Sequence, residues 1–287
     1  MDPCPNCGEP AAINEEKCLT CGHYLGAPNV REVNVPSERL ALEKRCQAAV
    51  ERAELRGSKD AVMSFRTATE YSVAVASCSL PRLRELVSEP NALYSNYYLA
   101  AKGEVRAAAE AENDRQRRTV DAMLFGRYGD QIRFAALSLN GIGLKSYGKD
   151  GLSYGLVLRD VAIANRATLL EENSYTFVKR HNLTAESVLP LGYRSSWEKR
   201  YELAVAKLSD SIWPNTSPSE YASILLYSTG DRATDQFIEV HIFGAFNISS
   251  ISSVSGASNP KGPGSRAIVT VVKGLLEKHG KQWIETS

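Results

Sequence analysis

The sequence has almost no excess of charge and few of the side chains that most often act as acids and bases. Among 287 residues, 34 Lys and Arg balance 33 Asp and Glu, which leaves a formal net charge of +1. No overall field therefore draws the protein toward nucleic acid or an acidic membrane, so any contact with a polyanion has to be local. Only four histidines are present, so few residues of the type most often used in general acid–base catalysis are available.

Long hydrophobic runs are also missing. Residues 240–260 contain no Asp, Glu, Lys or Arg, but His241, Pro260 and several serines interrupt the segment, so it does not suit a membrane-spanning helix. The N-terminus has no basic stretch followed by an apolar one and does not resemble a secretory signal. Hydrophobic residues make up 43% of the chain, enough for a packed core. The sequence predicts a globular, cytoplasmic protein without a membrane partner.

Three familiar motifs are absent as well. No segment matches H-E-x-x-H, and none matches G-x-x-x-x-G-K-[ST], which argues against the common zinc peptidases and P-loop enzymes. No G-x-G-x-x-G segment opens a helix after a predicted strand, so a Rossmann-type dinucleotide site is not expected.

Four of the six cysteines fall in the first 21 residues, as two C-x-x-C-G turns. Such a turn directs two thiolates at one metal ion, and the glycine lets the backbone fold beneath the sulfurs. The turns therefore predict a small ribbon that binds structural Zn²⁺ through Cys4, Cys7, Cys18 and Cys21. Two disulfides or four unliganded thiols are the alternatives.

Two kinds of partner remain open for the ribbon. Lys17 is the only Lys or Arg before Arg31. Because phosphate binding needs clustered cations, contact with a protein is favoured over contact with nucleic acid. Cys46 and Cys78 lie far from the ribbon and are interpreted as small buried hydrophobic residues.

Three regions are predicted along the chain: the zinc ribbon at 1–26, a helical linker or N-terminal subdomain at 27–125, and an α+β domain at 126–287. Apolar residues at helical spacing predict a helix from Ser37 to Arg56 in the second region. A long, alanine-rich helix is predicted at 104–125.

The third region contains short β-type runs without a repeating βαβ rhythm, which predicts an α+β fold. Strands are predicted at 131–139, 154–158, 167–170, 224–227 and 237–243. Helices are predicted at 197–212 and 267–279, and a loop is predicted after Val254.

Three segments of this region, 140–148, 156–174 and 237–254, carry a Tyr-Gly pair, then Arg-x-Thr and Asn-Ser, then a late Glu-x-His strand that ends in Gly. In this order they resemble the ADP-ribosyltransferase superfamily, particularly its bacterial and phage-defence toxin branch. The resemblance covers residues 126–256. It implies a split β-sandwich with flanking helices.

The resemblance also implies a reaction, in which the nicotinamide–ribose bond of NAD is cleaved and ADP-ribose passes to an acceptor. Glu239 would be the catalytic carboxylate that offsets the positive charge developing on the ribose. An arginine on the first strand would hold the pyrophosphate or ribose, because a guanidinium forms paired hydrogen bonds. The candidates for binding NAD are Arg133, Ser146, Tyr147, Gly148, Asn173 and Ser174.

Two residues depart from the pattern of the family. His241 stands where relatives often have Gln, and Phe237 stands where arginine-directed members carry an additional acid. A nucleic-acid base, for example in messenger RNA, therefore becomes a more attractive acceptor than an arginine. A protein acceptor remains open.

The resemblance further implies a toxin of a toxin–antitoxin or phage-defence system, with an antitoxin protein as a partner. The alternative is a non-catalytic zinc-ribbon adaptor or a nucleic-acid-binding module with the same fold. For the segment from Tyr193 to Arg200, two interpretations stay open: the start of a helix, or an aromatic and basic surface for a single-stranded acceptor.

Overall fold

Eight of the ten described strands form one sheet, with helices on both of its faces, and the two strands of the N-terminal ribbon form a small sheet of their own. A computed structural model describes residues 2–94, 111–147 and 153–286 of the chain. The strands are β1 (Asp2–Pro3), β2 (Pro10–Ala11), β3 (Val73–Cys78), β4 (Ile132–Ser138), β5 (Tyr154–Leu158), β6 (Ala167–Leu170), β7 (Arg194–Ser196), β8 (Glu239–Phe243), β9 (Ile251–Gly256) and β10 (Gln282–Glu285). The described helices are α1 (Pro28–Val33), α2 (Pro36–Leu55), α3 (Lys59–Glu70), α4 (Leu80–Ser88), α5 (Ala111–Phe125), α6 (Asp160–Ile163), α7 (Ser174–Arg180), α8 (Arg200–Leu208), α9 (Tyr221–Leu225) and α10 (Pro263–Lys278).

The order of strands across the large sheet is β10-β9-β5-β3-β4-β8-β6-β7. All neighbouring pairs are antiparallel except β9 and β10. The α+β class is thus confirmed. Within the described ranges the strands of this region join a single sheet, whereas the family resemblance implies a sheet split in two.

The two faces of the sheet differ in what covers them. We name the face that carries Ala135 and Val240 the core face, because it packs against α2, α3, α4, α8 and α10 in the largest apolar cluster. The opposite face carries Phe134 and Glu239 and is named the site face, because side chains alternate along a strand. A smaller apolar cluster covers part of it with residues of α5 and α7.

The boundary predicted at residue 126 does not separate two cores. Strand β3 comes from the predicted N-terminal subdomain, yet it pairs with β4 and β5 in the middle of the sheet. Helices α2 and α3 pack in the same cluster as strands of the third region. Residues 27–125 and the following region therefore share one core.

Several elements confirm the sequence interpretation. Helix α2 buries Leu42, Ala49 and Ala53, as the helical spacing predicts. Strands β5 and β6 have the predicted bounds. Of the helix predicted at 104–125, residues 104–110 lie outside the described residues, and the rest is α5.

Other predictions were wrong. The segment 224–227 was expected to be a strand, but its first two residues end helix α9, and only Tyr227 makes an isolated β-bridge, with Gln236. Ser217 and Glu220 form a reciprocal capping box that begins the turn leading into α9. The predicted linker at 26–36 contains α1. The loop predicted after Val254 begins two residues later, because β9 extends to Gly256, and it spans 257–262.

Gly192 lies at a close approach between α2 and the chain entering β7. Its φ is +84°, and a Cβ there would lie 2.8 Å from the carbonyl carbon of Ala41. Left-handed backbone and an overpacked contact each cost about 1–3 kcal/mol. We expect Gly192→Ala to lower the free energy of unfolding, measured with urea, by about 2–3 kcal/mol.

The matched control is Gly230→Ala. Gly230 also has a positive φ, +102°, but a Cβ there would meet nothing within 4 Å. Gly230→Ala should therefore lower the free energy of unfolding only by the cost of a left-handed backbone conformation. Equal losses of stability in the two variants would contradict a role for the contact with Ala41.

Candidate functional site

A buried polar cluster lies on the site face, made by Glu239 and His241 of β8 and by Ser174 at the start of α7. These residues are 2%, 3% and 5% exposed, respectively. Oε2 of Glu239 accepts hydrogen bonds from the Ser174 amide at 2.9 Å and from the Ser174 hydroxyl, and it lies 2.9 Å from His241 Nε2. The Ser174 hydroxyl is 3.3 Å from the same nitrogen. Residues of the second and third sequence motifs thus meet at one carboxylate oxygen.

The cluster favours an ionised Glu239. Burial alone raises the pKa of this carboxyl, but the hydrogen bond and charge of His241, the charge of Arg117 and the hydrogen bond of Ser174 outweigh burial and hold the pKa below its ordinary value. The hydrogen bonds that the structure shows to this carboxylate all reach Oε2.

Aromatic rings enclose His241. Its ring makes edge-on contacts with Phe125 of α5, at 4.8 Å between centroids, and with Phe134 of β4, at 5.4 Å. The Arg117 guanidinium lies 3.9 Å from the centroid of Phe134. These contacts fix the imidazole against the carboxylate and set α5 over the cluster.

Asn29 of α1 is a residue of the site that the sequence analysis missed. It is 2% exposed, and its Nδ2 lies 3.1 Å from the carbonyl oxygens of Arg166 and His241 and 3.2 Å from Thr168 Oγ1. Asn29 thereby joins β6 and β8 on the same face as the cluster, because Thr168 is the cross-strand partner of His241. A single amide in a segment expected to be a linker gave no signal in the sequence.

Asn173 positions Ser174 without contacting Glu239. Its Oδ1 accepts hydrogen bonds from the amides of Tyr175 at 3.0 Å and Thr176 at 3.4 Å, so it is the N-cap of α7. The cap fixes the turn that points the Ser174 amide and hydroxyl at the carboxylate.

The first sequence motif lies on the same face. Leu144 packs with Phe237 and with Ala136, which is the cross-strand neighbour of Glu239. The Ser146 hydroxyl donates to Asp235 rather than to Glu239. Tyr147 is described only in its backbone, as the end of a short 3-10 turn, and Gly148 lies outside the described residues.

Arg133 requires a correction, because it does not lie with Glu239. It pairs with Ile242 and therefore points to the core face, and it is three residues, about 10 Å, along β4 from the partner of Glu239. Its guanidinium donates to the carbonyl oxygens of Tyr94 and Asp130, each at 3.4 Å. The geometry does not support Arg133 as a clamp for a ligand bound at Glu239.

Lys207 of α8 is a second residue that the sequence analysis missed. Its Nζ donates to the carbonyl oxygen of Phe237 at 2.8 Å, two residues before Glu239. Burial lowers the pKa of Lys207 to about 8, although the charges of Glu171 and Glu172 oppose that shift. Lys207 anchors the chain where it enters β8.

The four N-terminal cysteines form a candidate metal centre. Their sulfurs lie within 4.8 Å of one another, with 3.7 Å between Cys4 and Cys21 and 3.6 Å between Cys7 and Cys18, and none is in a disulfide. Four sulfurs at about 2.3 Å from Zn²⁺ in a tetrahedron are separated by about 3.8 Å. The residues therefore fit a structural metal ion such as zinc.

The ribbon is attached to the rest of the chain. Nη1 of Arg31 donates to the carbonyl oxygens of Ala12 at 3.1 Å and Glu15 at 2.9 Å, and Arg127 forms an ion pair with Glu15. Arg31 belongs to α1, the helix that also carries Asn29. The ribbon and the cluster around Glu239 are thus joined through one short helix.

Residues 151–155 read Gly-Leu-Ser-Tyr-Gly and match G-x-S-x-G. That motif marks a serine nucleophile when it forms a sharp turn from a strand into a helix. Here Ser153 precedes strand β5, so the chain continues into a strand instead of a helix. The match therefore does not place a hydrolase nucleophile at Ser153.

No described helix is both long and apolar enough to cross a membrane. No known family model matches this sequence. A comparison with characterised proteins finds no similar sequence.

Proposed function

We propose that the protein transfers ADP-ribose from NAD to a macromolecular acceptor, with Glu239 as the catalytic carboxylate. The contact between Ser174 and Glu239 carries the proposal. It joins two of the three motifs on which the resemblance rests, at a carboxylate that its surroundings keep ionised. The loop of the first motif lies on the same face.

The residues of the cluster suit the bonds that change. In the reaction, the bond between ribose C1′ and the nicotinamide nitrogen breaks, and its electron pair leaves with nicotinamide. The acceptor atom then bonds to C1′ and loses its proton. Glu239 offsets the positive charge that develops on the ribose, while Ser174 and His241 hold the carboxylate through Oε2.

We propose RNA as the acceptor, with a protein as the second possibility, and an antitoxin as a further partner. The segment 193–200 is not the surface that binds it, because Trp197 is 1% exposed and Arg194 is bonded to Glu38. Tyr175 is a better candidate for stacking on a base, since it follows Ser174 directly and is about half exposed.

A non-catalytic adaptor is the rival function, and the burial of the cluster favours it. Glu239 is 2% exposed and its hydrogen bonds are internal. In an adaptor, these residues would only join β8 to α7, and the ribbon would provide a contact with a partner protein.

Release of nicotinamide from NAD by the zinc-loaded protein separates the two functions. We expect Glu239→Gln to lower the rate about 10²- to 10³-fold, the usual loss when one group that stabilises transition-state charge is removed. The assay is run alone, with cellular RNA and with cellular protein, and the fraction that accelerates release identifies the class of acceptor.

Glu198→Gln is the matched control, because Glu198 is exposed and makes no contact with the cluster in the described part of the chain. It should retain the full rate. Folding of both variants is checked by thermal unfolding. If the folded wild-type protein releases no nicotinamide in any mixture, or if Glu239→Gln is as active as wild type, the transferase proposal fails and the adaptor is favoured.

A further inference from the structure

The loop after β4 covers one side of Glu239. Its Leu144 side chain is 4% exposed and packs with Phe237 and Ala136, and Leu226 lies against the same small apolar cluster. Phe237 lies two residues before Glu239, and Ala136 is the cross-strand neighbour of Glu239. Helices α5 and α7 cover the other side through a separate apolar cluster. Glu239 therefore lies at the boundary between two coverings of the site face.

The loop is the weaker of the two coverings. Among the described residues, nine buried ones form the apolar cluster at α5 and α7, whereas three form the cluster at the loop. Ser174 of α7 also bonds directly to Glu239. Because the buried apolar area largely sets the free energy needed to separate two packed segments, the loop should open before the helices do.

Gly143 gives the loop a fixed end. A Cβ at this position would lie 2.7 Å from Ser77 Oγ and 3.0 Å from a methyl group of Val75, so the backbone here is pressed against β3. Residues 144–146, which we name the lid, follow this point. A cavity of about 270 Å³ between the loop and β5 borders Leu144, so its side chain has space to move into.

A hairpin that leads into β8 holds the lid down. Residues 227–236 form this hairpin, which a β-bridge closes at its base, and most of its residues are exposed. The Ser146 hydroxyl donates to Asp235, and the Lys145 amide donates to Ser228 Oγ at 3.0 Å. Polar contacts at the surface therefore join the hairpin to the lid.

The carboxylate of Asp235 is only partly satisfied in this arrangement. Its Oδ2 accepts the hydrogen bond from Ser146, whereas its Oδ1 is shielded from solvent, and no hydrogen bond reaches that atom in the described part of the chain. A shielded polar atom without a partner loses the solvation that water would supply. Opening would hydrate this oxygen, which offsets part of the cost of breaking the bond to Ser146.

We propose that the lid and the hairpin form a latch that controls access to Glu239, and that the structure shows the latch closed. The latch opens when the hydrogen bond between Ser146 and Asp235 breaks, and Leu144 then leaves Ala136. The consequence for NAD rests on the proposed ADP-ribose transfer, whereas the opening itself does not.

Labelling of a thiol beneath the lid tests the opening. In the zinc-loaded full chain, Ala136→Cys places a thiol under Leu144, and peptide mass spectrometry follows its reaction with iodoacetamide separately from the native cysteines. We expect Asp235→Ala, added to Ala136→Cys, to raise the labelling rate at least about tenfold. The reason is that a hydrogen bond to a charged acceptor no longer opposes opening.

Two matched controls test whether the lid is the cause. Gln236→Ala should leave the labelling of Ala136→Cys unchanged, because Gln236 is exposed and joins the hairpin through its backbone. Ala135→Cys places a thiol on the core face of the same strand, and Asp235→Ala should not raise its labelling. Thermal unfolding verifies that each variant is folded.

Equal labelling of Ala136→Cys with and without Asp235→Ala overturns the proposal. An equal increase at Ala135→Cys also overturns it, because the whole sheet would then have loosened.

Binding of NAD tests the consequence for the site. With the native Ala136, Asp235→Ala should bind NAD more tightly than wild type, by the factor by which the open state becomes more populated. Faster labelling with nicotinamide release but an unchanged affinity for NAD would overturn the control of access. If labelling is faster and no variant releases nicotinamide, the latch is supported and the proposed transfer fails.

Discussion

Removal of the metal is expected to unfold the ribbon at residues 2–26 and to loosen α1 from the sheet. The ribbon has two strands of two residues each, and its buried apolar residues before Ala27 are Cys4, Ala11 and Cys18. So small a core cannot offset the entropy of ordering the segment. Structural zinc contributes about 10–16 kcal/mol of binding free energy in comparable Cys-rich modules.

The measurement is zinc content together with limited proteolysis, for wild type and for Cys18→Ser. Because three thiolates bind zinc more weakly than four, we expect the variant to lose the metal to a mild chelator and to be cut within 2–26. Cys46→Ser is the control, since Cys46 lies in α2, outside the ribbon, and should keep one zinc per chain. Full zinc retention by Cys18→Ser would contradict the four-cysteine site.

The loss of structure on zinc removal should extend beyond the ribbon. Arg31 contacts the carbonyl oxygens of Ala12 and Glu15, and Asn29 of the same helix contacts the backbone of β8. Hydrogen exchange of the His241 amide should therefore rise when zinc is removed. An unchanged exchange rate would show that α1 is held by the sheet alone.

Local sequence patterns predicted the strands β4, β5, β6 and β8 and the helices α2, α5, α8 and α10, but not how the strands are arranged. Strands β5 and β6 are continuous apolar runs and were found with the predicted bounds. Strand β9 is rich in serine and was not predicted, and it forms because β5 and β10 pair with it on both sides. Pairing between distant segments leaves no local signature.

The candidate site was predicted only in part, because it too depends on how distant segments of the chain pair. Ser174 and Glu239 meet, because the turn after β6 lies next to the start of β8. Arg133 was assigned to the same site, but its strand register points it to the other face. A shift of one residue along a strand reverses the face of every side chain, and no single sequence determines that register. Asn29 and Lys207 reach the site from helices that only the tertiary fold brings there.

Replacement of Glu38 by leucine is expected to lower the free energy of unfolding by about 3–5 kcal/mol, the cost of removing one partner of a buried ion pair. Glu38 is fully buried, and its two oxygens accept hydrogen bonds from the Gly192 amide at 3.0 Å and from Arg194 at 3.2 Å. Without it, the acidic partner left to Arg194 among the described residues is Glu32, at 3.6 Å. Burial raises the pKa of Glu32, which makes it a poor replacement as a counter-ion.

The double variant Glu38→Leu/Arg194→Leu distinguishes an unpaired charge from lost packing. Replacing both members of a buried pair by apolar residues is often neutral, so the double variant should be more stable than Glu38→Leu alone. Urea unfolding of the two single variants and the double variant gives the coupling free energy between the side chains. If the stability lost in the double variant equals the sum of the losses in the two single variants, Glu38 does not stabilise the fold through Arg194. Its hydrogen bond to the Gly192 amide would then account for its effect.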